Sequence, residues 1–114
     1  MNINLLIEKA FESFEVDGEK VPIFFMHYDG KASKYLTYYQ WSELPKNFAD
    51  NENQNEICYA TIDVWSQENY KNIVEKVKKK LKVNGFTWTD TGAEIYENDT
   101  KFYHVPINFY YLKN

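Results

Sequence analysis

The spacing of apolar residues predicts two helices, one near the start of the chain and one beyond its middle. Apolar residues recur every three or four positions over roughly residues 2–15, which is the pattern of one helix face. The same spacing over residues 67–83 predicts a second amphipathic helix, with lysines concentrated toward its C-terminal end. Ser66 is placed to cap the N-terminus of this helix, Glu68 lies in its first turn, and Gly85 follows as its stop.

Alternating apolar and polar residues predict the strands. The clearest run is 57–65, in which four small apolar residues are expected to face the core: Cys58, Ala60, Ile62 and Val64. Residues 101–112 alternate in the same way, and Pro106 inside this run predicts a sheet edge or a bulge. Two shorter strands are expected between the second helix and this run, at residues 86–89 and 93–97.

The segment after the first helix predicts a hairpin and then a long loop. Residues 23–28 are expected to form a strand that ends at a turn formed by Asp29-Gly30. Residues 35–41 are expected to pair with this strand as a hairpin. Residues 42–55 are rich in Asn and acidic side chains and have no periodicity, so they predict a loop. The predicted fold class is α+β: one domain over residues 1–114, with the N-terminal helix and the second helix packed on a mostly antiparallel sheet.

Composition narrows the classes of partner. All 13 basic residues are lysines and the net charge is −4, which disfavours a specific nucleic-acid binder. Glu8 and Glu12 interrupt the apolar residues of the N-terminal segment, so neither a signal peptide nor a membrane span is expected there. The single cysteine, Cys58, fits a reducing cytoplasm. Aromatic residues make up 18 % of the chain, an excess typical of surfaces that contact other proteins.

The residues that could carry catalysis or bind a metal do not form a recognisable motif. His27 and His104 have no second cysteine and no ligand at metal-binding spacing, so neither a metal nor another cofactor is expected. Cys58 alternates in step with core positions, which indicates packing rather than a nucleophile. The four glycines are scattered, so no phosphate-binding loop is expected.

Two further features have a structural and a functional interpretation. Asp63 could form an acid/base pair with Glu94 or Glu97, but strand faces exposed to solvent carry such residues routinely. The basic run at residues 76–82 could contact nucleic acid, but lysines are also favoured at a helix C-terminus. The structural interpretation is preferred for both, and the protein is not expected to be an enzyme.

A strand that ends in Val64-Trp65-Ser66 and continues directly into an amphipathic helix is predicted over residues 59–81, YATIDVWSQENYKNIVEKVKKKL. The pattern resembles the small tail-terminator and tail-completion proteins, which join head to tail in long-tailed bacteriophages and prophages. The resemblance extends to the N-terminal helix, to Val21-Pro22-Ile23, to the strand at residues 35–40 and to Ala49-Asp50 in the loop.

This resemblance implies a non-enzymatic virion structural protein. Such proteins form a homo-oligomeric ring, commonly a hexamer, that caps the tail tube and joins it to the head-connector proteins. The implied location is the tail neck of the virion, and the host cytoplasm during assembly. Trp65 is then a packing anchor and Ser66 a helix cap. The residues expected at contact surfaces are Tyr38, Tyr39, Trp41, Phe48, Asp50, Tyr59, Tyr103 and Tyr111.

A second class of function is compatible with the same features. Small bacterial proteins that bind one partner, such as immunity or antitoxin-like proteins, are also short, acidic and rich in aromatic residues. Neighbouring genes for head-connector and major-tail proteins would favour the first class, and a neighbouring toxin gene the second.

Overall fold

One main sheet and two helices form the described part of the fold. The computed structural model describes residues 2–45 and 56–113 of the chain. The elements are α1 (Ile3–Phe11), β1 (Glu15–Val16), β2 (Glu19–Lys20), β3 (Ile23–Phe25), β4 (Lys34–Pro45), β5 (Glu56–Ser66), α2 (Lys71–Val83), β6 (Thr87–Thr91), β7 (Ile95–Glu97) and β8 (Phe102–Lys113). The main sheet has the order β3-β4-β5-β8-β6, and β7 also pairs with β8. The predicted α+β class is confirmed.

Both helices pack on the same face of the main sheet. Their apolar stripes and alternate residues of β4, β5 and β8 form a single core cluster. The prediction for the clearest strand is confirmed, because its four small apolar residues are at most 1 % exposed: Cys58, Ala60, Ile62 and Val64. The opposing strand β8 contributes Val105, Ile107 and Phe109 to the same cluster. Over the described residues, alternation along these strands therefore divides the sheet into a helix-covered face and a face on which neither helix lies, here called the helix-free face.

The first helix is shorter than predicted because a small hairpin follows it. The side chain of Asn2 accepts a hydrogen bond from the backbone of Asn4 at the start of α1, and α1 ends at Phe11. Strands β1 and β2 then form a two-residue hairpin around Asp17 and Gly18, whose φ angles are +54° and +82°. An Asp-Gly pair favours this turn because both residues tolerate positive φ.

The prediction that Ser66 caps the second helix is wrong. The Ser66 hydroxyl accepts a hydrogen bond from the Glu68 backbone at 3.0 Å, but this turn belongs to the connection that precedes α2. The helix begins at Lys71, so Glu68 is not in its first turn either. The predicted stop is confirmed. Gly85 has a φ of +85°, and the Phe86 N–H bonds back to the Leu81 carbonyl at 2.9 Å.

The predicted first hairpin is also wrong, because β3 and β4 pair in parallel. Strand β3 ends at Phe25, before the Asp29-Gly30 pair, and Met26 follows with a φ of +70°. This left-handed residue turns the chain out of the strand, and residues 26–33 return it to the start of β4. A connection this short suffices because β3 has only three residues.

Strand β4 continues into the segment that was expected to be a loop. Residues 42–45 pair with residues 56–59 and so extend the β4–β5 ladder. The register shifts between Gln40 and Ser42, which places a bulge at Trp41. The remainder of the expected loop lies outside the described residues, and with it the predicted contact residues Phe48 and Asp50.

Pro106 does not lie at a sheet edge or in a bulge of its own strand, contrary to the prediction. Strand β8 pairs with β5 on one side and with β6 and β7 on the other. The Pro106 carbonyl accepts a hydrogen bond from Gly92, in the break between β6 and β7. The backbone nitrogen and carbonyl of a strand residue point toward the same neighbouring strand. The nitrogen of Pro106, which carries no hydrogen, therefore faces the break between β6 and β7, where no strand residue needs its hydrogen bond.

Candidate interaction surface

The helix-free face of the sheet is formed by rows of residues from β4, β5 and β8. The register places Tyr35, Trp65 and His104 in one row. The next rows are Thr37–Asp63–Pro106 and Tyr39–Thr61–Asn108, and Tyr59 and Tyr110 lie opposite the Trp41 bulge. Polar residues thus occupy the centre of this face, and aromatic residues lie on both sides of them.

The first aromatic group is a stack of three rings. The Trp65 indole lies parallel to the His104 ring, with centroids 3.9 Å apart, and to the Tyr35 ring at 5.8 Å. The indole N–H donates a hydrogen bond to the Thr37 hydroxyl at 3.0 Å. This Tyr35–Trp65–His104 stack fixes the side chains of three neighbouring strands, which makes it a packing element rather than an open contact surface.

The second aromatic group is more exposed. Trp41 stacks on Tyr59 with centroids 5.1 Å apart, and Tyr59 lies 6.0 Å from Tyr110. The Trp41 side chain is 53 % exposed, since the bulge places it at the outer end of the row. Farther along the same face, Leu112 is also exposed. The Trp41–Tyr59–Tyr110 row is therefore an accessible aromatic surface held by a rigid sheet.

The polar centre is a short hydrogen-bond chain across three strands. Thr61 donates to the Asn108 side chain at 2.6 Å, and the Asn108 amide donates to Asp90 at 3.1 Å. Beside it, Asp63 Oδ1 lies 3.1 Å from His104 Nε2, with both side chains largely buried. The structure thus brings Asp63 to His104, a partner that the sequence did not suggest. Groups of three or more potential metal ligands are absent from the described residues.

The predicted contact residues divide between the two faces. Tyr39, Trp41 and Tyr59 share the helix-free face. Tyr38 does not lie at the surface at all: it is 1 % exposed, and its hydroxyl donates a hydrogen bond to Glu8. Burial, reinforced by this bond, raises the pKa of Tyr38 well above its ordinary value.

The two predicted contact residues of β8 also lie on the helix-covered side. Tyr103 packs between Tyr70 and Tyr96, and Tyr111 packs on Phe86. Alternation along β8 contained this information, since these tyrosines share parity with the core residues of that strand. Tyr110, which sequence reasoning missed, has the opposite parity and therefore lies on the helix-free face.

Comparison with known proteins gives no family assignment. No protein-family model matches the chain, and no curated protein matches it. Among the described helices, neither is long and apolar enough to cross a membrane.

Proposed function

We propose that this protein is a non-enzymatic assembly protein of a phage or prophage tail. It would cap the tail tube and join the tube to the head connector as a ring of identical copies. The observation that carries the proposal is the helix-free sheet face with its Trp41–Tyr59–Tyr110 row, in which Trp41 is exposed and the two tyrosines are half-buried.

This surface suits a protein partner better than a small ligand. Ligand sites are concave and enclose their ligand, whereas the row lies along a sheet face. Aromatic side chains are enriched in protein interfaces because they bury a large apolar area at low cost in side-chain entropy. The helices cover the opposite face, so the strands are held in place without the partner.

The Val64-Trp65-Ser66 element supports the proposal through packing within the subunit rather than through contact with a partner. Val64 is fully buried in the core, and Trp65 joins three strands through its stack and its bond to Thr37. Ser66 closes the turn that leads the chain toward α2. The packing role of Trp65 is the one that the resemblance implies, whereas the helix-cap role that it implies for Ser66 is not present.

Electron microscopy of particles that lack this protein tests the proposal. Overlong tails or tails detached from heads are expected, and complementation with the wild-type chain should restore normal particles. Tails of normal length joined to heads would overturn the proposal. A tight one-to-one complex with a toxin, together with normal particles, would instead assign the chain to the protein-binding modules of bacterial immunity.

A further inference from the structure

One edge of the main sheet carries a groove with an acidic rim. The groove lies between α1 and β3 and encloses about 370 Å³; the buried side chains of Phe11 and Tyr38 lie behind it, and Phe25 is its exposed aromatic residue. Glu8 and Glu12 line it one helical turn apart, and Lys20 is the basic residue of its lining. The Phe25 side chain is 50 % exposed. We call this site the β3-edge groove; it is aromatic with an excess of negative charge.

The opposite edge of the same sheet carries a groove with a basic rim. It lies between α2 and β6, encloses about 470 Å³, and is lined by Phe86, Thr87, Trp88, Glu75, Lys78, Lys79 and Lys82. The Trp88 ring is 44 % exposed, and the Lys78 ammonium lies 4.3 Å from its centroid. Glu75 pairs with Lys78 at 3.4 Å. Three lysines thus outnumber one glutamate, and this β6-edge groove is aromatic with an excess of positive charge.

We propose that the β6 edge of a second copy of this chain occupies the β3-edge groove. The two edges belong to one sheet and carry opposite charge, and each exposes one large aromatic side chain, Trp88 or Phe25. Aromatic side chains that become buried are the usual energetic centres of interfaces, and complementary charges at the rim set orientation. A pair joined in this way would keep one unused edge of each kind, β3 on one copy and β6 on the other, so further copies can add head to tail.

The strand directions fit this arrangement. Strand β3 runs parallel to β4, and each step from β4 through β5 and β8 to β6 is antiparallel. Strands β3 and β6 therefore run in opposite directions. When two copies meet edge to edge with their helices on the same side, β6 of one lies antiparallel to β3 of the next, which is the more favourable pairing. The same orientation brings the lysines of α2 toward the glutamates of α1.

Cross-linking between engineered cysteines tests the contact. In the variant M26C/T87C, which has one cysteine at each edge, a short bis-maleimide should produce a ladder of dimers, trimers and larger species. Variants with either cysteine alone should stop at background, and so should V83C/D99C, whose exposed positions line neither groove. Cys58 is 1 % exposed and should not react in the folded chain. Absence of the ladder, or equal dimers from a single-cysteine variant, would overturn the proposal.

Charge reversal in the M26C/T87C background tests complementarity. Reversing the acidic rim with E8K/E12K, or the basic rim with K79E/K82E, should lower cross-linking about tenfold. The chain that carries both reversals should regain the ladder, because its rims are again opposite in charge. Because Glu8 bonds to Tyr38, E12K with K82E serves as a milder pair, and circular dichroism confirms folding. Reversals without effect, or failure of the double reversal to restore the ladder in a folded chain, would contradict the proposal.

The proposal rests on the proposed function only in that both require copies of the chain to associate. The two fail separately. Overlong tails in deletion particles without a ladder would overturn the edge contact alone, whereas a ladder with normal deletion particles would overturn the tail function alone.

Discussion

Trp65 shows how one aromatic residue can hold three strands together. Its indole is stacked between side chains of β4 and β8, and its N–H is satisfied by Thr37. A half-buried tryptophan with a paired N–H loses no hydrogen bond on folding and gains contacts on both ring faces. We therefore expect the stability of this end of the sheet to depend strongly on this side chain.

Replacing Trp65 should destabilise the fold in two distinct steps. W65F removes the hydrogen bond to Thr37 but keeps a ring, so we expect a loss of about 1 kcal/mol in unfolding free energy. W65A also removes the stack and should cost about 3 kcal/mol. Urea unfolding measures both. W88A is the control, because the ring of Trp88 is 44 % exposed and its loss should cost under about 1 kcal/mol. Equal losses for W65A and W88A would contradict this role.

Tyr38 should make the fold sensitive to alkaline pH. Burial and the bond to Glu8 raise its folded pKa above the unfolded value of 10.0, and burial also raises the pKa of Tyr35. The folded chain then retains protons that the unfolded chain releases. Stability is fully present below about pH 10 and falls as the pH rises above it, by up to about 1.4 kcal/mol per pH unit for each proton.

Urea unfolding across this alkaline range measures the effect, with tyrosinate absorbance recorded in parallel. Y38F removes one of the raised groups, so its stability should decline less steeply with pH than that of the wild type. An identical decline in both proteins would show that Tyr38 does not contribute.

Among the helices and strands, the periodicity of apolar residues predicted which side chains face the core. The apolar stripe of α2 and the alternation of β5 depend only on which residues face the core, and both are present in the structure. Pairing was less predictable, because the parallel partner of β3 depends on the left-handed Met26, a conformation that methionine does not signal. The start of α2 was misplaced for a similar reason. A serine followed by a glutamate suits a turn before the helix as well as a cap.

The contact surface was harder to predict than the fold. Trp41 and Tyr59 lie three strand rows from the Trp65 stack, and only the register of β4 against β5 shows that they share a face. Tyr38 follows an aromatic-rich pattern and precedes Tyr39, yet it points into the core. Composition alone could not distinguish these neighbours.

Gly85 should allow α2 to end without backbone strain, because glycine adopts positive φ angles freely. Its φ of +85° is unfavourable for residues with a Cβ, whereas the added atom itself would meet only the Tyr111 ring at an ordinary 3.7 Å. G85A should therefore cost about 1 kcal/mol through backbone strain. G85N should cost less, because asparagine tolerates the left-handed region better. Thermal or urea unfolding measures both variants, and a G85A protein as stable as the wild type would contradict the argument.

The described part of the molecule is asymmetric: one sheet face carries the core, and neither of the two described helices lies on the other face. Substitutions on the two faces should therefore separate stability from function. Substitutions on the core face should lower the stability of the fold, whereas substitutions at exposed positions of the helix-free face should mainly affect binding to a partner.

W41S tests this separation. Because the Trp41 side chain is 53 % exposed, the variant should lose less than about 1 kcal/mol of stability, yet it should fail to restore joined particles in the deletion background. V83S is the matched control, since Val83 is 82 % exposed on α2 and should complement fully. Full complementation by W41S would exclude the Trp41–Tyr59–Tyr110 row as the functional surface.

The position of β8 also has a consequence for biosynthesis. It is the last described strand in chain order, yet it lies between β5 and the strands β6 and β7. While the ribosome has not yet delivered residues 102–113, the nascent chain holds a β4–β5 ribbon with one bare edge and two short strands without their partner. Unpaired strand edges promote aggregation with other chains, and incompletely folded chains are degraded by quality-control proteases. Chains interrupted before Phe102 should therefore be cleared, and only completed subunits would accumulate.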